Sequence, residues 1–113
     1  MKTFIVVQLQ AEGIHRWEEC PIEEVKYLRH DHRHVFHIKA VREVFHDNRD
    51  VEFIQFKHEI DDYIFNRYYD HIYRCHYFGK MSCEMLAKEL LEKFNLESCE
   101  VYEDGENGAV VVR

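Results

Sequence analysis

Apolar and polar positions alternate through "KTFIVVQLQA", residues 2 to 11, with Ile5, Val7, Leu9 and Ala11 on one side. A period of two with β-branched residues is the signature of a half-buried strand, and Gly13 is expected to stop it. The alternation returns from Arg33 to Phe45, where Phe36, Ile38 and Ala40 share one face and Val35, His37, Lys39 and Val41 the other. Between these strands, "HRWEECPIEEVKYLRHD" is polar and irregular and holds the only proline. It reads as a long loop with one helical turn in "IEEVKYL".

The period then changes to that of a helix. After a turn at "HDNRD", the segment "VEFIQF" leads into a helix from about Lys57 to Tyr69, with Phe56, Ile60, Tyr63, Ile64 and Tyr68 in one stripe. A second helix is expected from Ser82, a good N-cap, to Phe94, with Leu86, Leu90, Leu91 and Phe94 inward. The segment "SCEVYEDGENGAVVV" has apolar arms around a turn sequence and predicts a hairpin. The element order is ββααββ. It implies one α+β domain over residues 1–113, a four-stranded antiparallel sheet with two helices packed on one face. Such a sheet has two open edges, which favours a ring-like homo-oligomer.

Composition narrows the functions. With 46% hydrophobic and 33% charged residues in 113, the chain is an ordinary folded domain. No apolar run approaches the roughly 20 residues of a membrane span, and no secretory signal pattern opens the chain, so a cytoplasmic protein without membrane contact is expected. A net charge of −7 speaks against nucleic-acid binding. Cys20, Cys75, Cys83 and Cys99 are expected to be free thiols. Nine histidines are well above the usual share and draw attention to "YLRHDHRHVFHIKAV".

Side chains at i and i+2 of an extended segment point the same way, so His30 and His32 can aim two imidazoles at one point. His15, just past the first strand, is placed to supply a third. Three histidines with an open fourth position make a catalytic type of zinc site; the alternative is a solvated histidine patch. His34 and His37 are expected to be strand-surface residues.

Further segments follow in order: "FIQFKHEI" before the first helix, "YYDHIY" with Asp70 and His71, "MSCEMLAKELL" opening the second helix, and "VYEDG" with Glu103. With His15 and the His30–Asp31–His32 triplet, these resemble the motifs of the 6-pyruvoyltetrahydropterin synthase and 6-carboxytetrahydropterin synthase family along nearly the whole chain. The departures are Asp31 for a glycine, Gln55 for an aspartate, and Lys26 where the family carries a cysteine a few residues before the histidine pair. The resemblance implies the tunnelling fold and a zinc ion held by His15, His30 and His32. It also implies Asp70 and His71 as proton-moving groups, Glu103 as the residue that grips the pterin ring, and Ser82 and Glu84 beside it. Lys26 or Cys20 would be the second acid-base group, with Cys83 a more remote thiol. The implied function is a zinc-dependent synthase acting on a dihydroneopterin triphosphate-like substrate. The alternatives are a catalytically inactive protein that binds a pterin, purine or nucleotide, and a purely structural oligomer.

Overall fold

The computed structural model describes residues 1–113. Strands β1 (Thr3–His15) and β2 (His32–Val44) form a long antiparallel pair, joined by a loop that carries a 3-10 helix at Glu23–Arg29. Helix α1 (Phe53–Tyr68) is followed by the short strands β3 (Tyr69–Asp70) and β4 (Cys75–Gly79), then α2 (Cys83–Phe94) and the hairpin β5 (Ser98–Glu103) and β6 (Asn107–Val112). The sheet order is β3-β4-β1-β2-β5-β6, with β4 parallel to β1 and every other pair antiparallel.

This corrects the expected architecture. The chain does not form a four-stranded antiparallel ββααββ sheet; it forms a six-stranded mixed sheet with a 3-10 helix besides the two α-helices. The two extra strands come from "YDHIYRCHYFG", whose aromatics and histidines have no clean alternation. They pair because Asp70 closes a tight turn, its carboxylate accepting from the Ile72 and Tyr73 N–H groups.

Within that frame the apolar faces fall where alternation places them. Val7, Leu9 and Ala11 from β1, Phe36, Ile38 and Ala40 from β2, and Cys99 and Val101 from β5 are buried in one cluster with residues of both helices. Helix α1 contributes Phe56, Ile60 and Ile64, and α2 contributes Leu86, Ala87, Leu90 and Leu91. Ser82 caps α2 by accepting from the Met85 N–H, and Asn95 ends it in the left-handed conformation. Helix α1 begins four residues earlier than Lys57, since the Glu52 carboxylate accepts from the Ile54 and Gln55 N–H groups. No helix is long and apolar enough to cross a membrane.

Gly13 does not stop β1; the strand runs on to His15. A Cβ at Gly13 would run into the ring of Phe78, which packs over this position from β4. The missing side chain is therefore what lets β1 continue between β2 and β4. Gly13→Ala is expected to lower stability by about 1–3 kcal/mol, the usual cost of overpacking. Urea unfolding followed by circular dichroism checks this; an unchanged midpoint would show that Phe78 is not fixed there.

Candidate metal centre

At one end of the sheet the buried face changes chemistry on three neighbouring strands. The inward positions of β1 run Val7, Leu9, Ala11, Gly13, His15; those of β2 run Ala40, Ile38, Phe36, His34, His32. Strand β5 ends the same way, with Cys99 and Val101 followed by Glu103, which pairs with Phe36. Because His15 lies directly opposite His32 and Gly13 opposite His34, three imidazoles converge. Their ring centroids are 4.6 to 5.3 Å apart, above the edge of Phe36.

The ligand set expected from sequence is corrected by one residue. His15, His32 and His34 bring one nitrogen each within 4.8 Å of one another and could hold a metal ion; His30 is not among them. His30 follows the 3-10 helix as its exposed cap, ahead of the strand, so the alternation that aligns side chains does not reach it. His34 is not strand decoration but shares the inward face of Phe36.

Each of the three rings is pinned through Nδ1. His15 Nδ1 lies 2.8 Å from the Met81 carbonyl, His32 Nδ1 2.9 Å from the His30 carbonyl, and His34 Nδ1 2.7 Å from Asp104 Oδ2. Carbonyl and carboxylate oxygens only accept, so each Nδ1 donates and each Nε2 is left for another partner. The Nε2 atoms of His15 and His34 are buried without any hydrogen-bond partner. Orphaned nitrogens in a polar, histidine-lined spot, each ring oriented from behind by an oxygen, fit the donor set of a metal ion. All-imidazole donors suit zinc and other first-row transition metals alike.

Electrostatics follow from the packing. Burial works to lower the His15 pKa, but Glu103 and the Met81 carbonyl outweigh it and raise it above the ordinary histidine value. Burial holds His32 below that value. The His15 ring in turn keeps Glu103 below the usual carboxylate range, and His34 does the same for Asp104.

Beside the histidines opens a cavity of about 500 Å³ whose wall includes His15, His32, Ser82, Cys83, Glu84 and Glu103. That size suits a small ring ligand. Ser82, Glu84 and Glu103, the expected ring-binding residues, thus share one cavity with two of the three clustered histidines. Arg16 and Lys80 also stand on its wall, tied to Asp31 and Glu18.

The expected acid-base residues lie elsewhere in the chain. Lys26 is exposed on the 3-10 helix and paired with Glu23. Cys20 is fully buried, with its thiol against the Ile22 and Val25 carbonyls. Asp70 holds the β3–β4 turn, and His71 is exposed in that turn beside Tyr69. None of the four borders the cavity. Moving the histidine pair to His32 and His34 also moves the position counted back from it, from Lys26 to Leu28, which does line the cavity and carries no acid-base group. The thiol that reaches the site is Cys83, 3.8 Å from Glu103 Oε2, with a pKa pushed up to about 12 by burial and by that carboxylate.

No family model matches the sequence, and no curated protein matches it either. Among solved structures, the chain is similar to the crystal structure of an uncharacterized protein from Wolinella succinogenes. The two share 13% identity with a TM-score of 0.61, covering 100% of this chain and 99% of the other. At that identity the likeness speaks for the fold alone.

Asp104 is a positioning residue that sequence reasoning missed. Its backbone N–H donates to the Val35 carbonyl and its Oδ1 accepts from the Val35 N–H, so the carboxylate is locked behind His34. Asp104→Asn is expected to weaken metal binding by about 10- to 100-fold, the range for such outer partners. His30→Ala should leave affinity unchanged. Competition with a chromophoric chelator measures both, and the reverse pattern would restore His30 as a ligand.

Proposed function

We propose that the cavity is a zinc-containing site for a pterin- or purine-like ring, of the kind used by the 6-pyruvoyl- and 6-carboxytetrahydropterin synthase family that the sequence motifs resemble. The single observation that carries this reading is that three imidazoles converge and that two of them, His15 and His32, share one cavity wall with the Glu103 carboxylate. Zinc, when bound, supplies a Lewis acid for an oxygen on the ligand's side chain. His15, His32 and His34 hold it. Glu103 accepts the parallel N–H and NH₂ of an amidine-like ring edge, while Ser82 and Glu84 at the start of α2 flank the ring. The Cys83 thiol stays protonated at neutral pH and can donate a proton; it is not an activated nucleophile.

In the synthase reading the substrate resembles dihydroneopterin triphosphate. A second reading, binding without turnover, is supported by the positions of Lys26, Cys20, Asp70 and His71 away from the cavity within one chain. Incubation with dihydroneopterin triphosphate decides between them: product formation lost in Cys83→Ala supports the enzyme, and tight pterin binding with no product supports the binder. Metal analysis of protein purified without chelator should give about one zinc per chain. Glu103→Gln should weaken pterin affinity by about 1.5–3 kcal/mol, the scale of a hydrogen bond to a charged group. Equal affinities by fluorescence titration would remove Glu103 from ring recognition.

The same reading includes a cytoplasmic, ring-like homo-oligomer such as a hexamer. Strands β3 and β6 are open sheet edges, and Phe4, Val6, Val110 and Val112 expose apolar side chains on strands of the same sheet. Light scattering on the eluting protein should show an assembly larger than a dimer; a monomer at micromolar concentration would overturn it.

A further inference from the structure

The contacts of Glu103 go beyond those of a group that waits for a ring. Its Oε2 is 3.0 Å from His15 Nε2 and its Oε1 is 3.5 Å from His34 Nε2. These are the two nitrogens that find no hydrogen-bond partner, so the carboxylate stands beside them without a hydrogen bond to either. A carboxylate 3.0 Å from an imidazole nitrogen makes an ion pair, and it is also near enough for both groups to reach one cation. With metal–nitrogen distances of about 2.0–2.1 Å, neighbouring atoms of a tetrahedral ligand set stand about 3.3–3.4 Å apart. The two Glu103 separations lie on either side of this value but belong to different oxygens, so the carboxylate has to turn for one oxygen to serve beside both nitrogens.

We infer that Glu103 is the fourth ligand of the metal centre, so that the ligand-free protein carries a closed three-histidine, one-carboxylate site and not an open one. The inference rests on the metal part of the proposed function and sharpens it. Glu103 reaches this place because β5 ends on it, with Asp104 and Gly105 turning the chain away in the left-handed region at φ 56° and 71°. The Cys83 thiol donates to the same Oε2 at 3.8 Å and steadies the carboxylate. One carboxylate cannot serve a cation and an amidine edge in full at once. A ring ligand that takes Glu103 therefore frees a coordination position for an oxygen of its own side chain, and recognition of the ring opens the metal.

The test uses the full chain loaded with cobalt(II), whose visible absorption reports ligand number, and azide as a small ligand for any open position. The wild-type spectrum should not respond to azide. In Glu103→Gln and Glu103→Ala, each checked for folding by circular dichroism, the spectrum should change, azide should shift it further, and cobalt affinity should fall by about tenfold or more. If azide shifts the wild-type spectrum, the fourth position is open and the inference fails while the three-histidine centre stands. Variants that keep the wild-type spectrum and ignore azide would also overturn it, and a sulfur-to-cobalt band would point to Cys83 instead. Failure of the wild type to bind cobalt at all would overturn both this inference and the metal reading beneath it. The wild-type azide result decides the matter even where neither variant folds.

Discussion

The cross-strand register of β1 and β2, which sets His15 opposite His32, is the constraint on which the site depends. Side chains on a strand alternate strictly, so the register that buries Val7, Leu9 and Ala11 against Phe36, Ile38 and Ala40 also fixes which side His15, His32 and His34 face. A slip of one residue would turn the aliphatic core and the histidines outward together. The energy of core burial is thus what holds three polar rings in a position they would not choose singly. Gly13 belongs to the same constraint, since it lets Phe78 lie across β1 just before His15.

Burying several imidazoles and a carboxylate carries a desolvation cost, and the structure offsets it unevenly. Every Nδ1 has a fixed oxygen partner, whereas two of the three Nε2 atoms make no hydrogen bond. Ion pairing between a raised His15 and a lowered Glu103 recovers part of the cost without metal. Linkage gives the sign of each contribution. The His15 stabilisation is full below the unfolded histidine pKa and fades as pH rises through the raised folded value. That of Glu103 is full above the unfolded carboxylate pKa and fades as pH falls through the lowered one. Their overlap is the mildly acidic range between the two, and a cation that takes both groups would extend the stability toward alkaline pH.

Much of this was legible in the sequence. The inward faces of β1, β2 and α2, the Ser82 cap and the hairpin around "EDGENG" all follow from period and turn chemistry. His34 was legible too, by extending the even-numbered face of Phe36, Ile38 and Ala40 back through His34 to His32. A motif taken by its nearest spacing, His30 to His32, overrode the period of the strand. Other features had no local signal. Strands β3 and β4 are short, and their place in the sheet depends on a parallel pairing with β1 across some 60 residues, which no alternation within "RCHYFG" encodes. Asp104 acts through His34, 70 positions away, and could be found only once β5 lay beside β2.

The position of the site, at the end of the core and not apart from it, ties fold and function together. His15 is only 7% exposed and touches Phe36, and Glu103 lies two residues beyond the fully buried Val101. The entry to α2 closes the same place, since the Met81 carbonyl just ahead of the helix orients His15 and Cys83 at its start meets Glu103. An ion bound here would join β1, β2 and, through Glu103, β5, three strands that approach one another only in the folded chain. Its binding free energy is then also folding free energy, because the unfolded chain offers no such site. By the same reasoning, a ligand that drew Glu103 away from the ion would loosen one of those three strands from the centre. With Glu103 on the ion, occupancy of the cavity would be coupled to the end of the sheet through a single side chain.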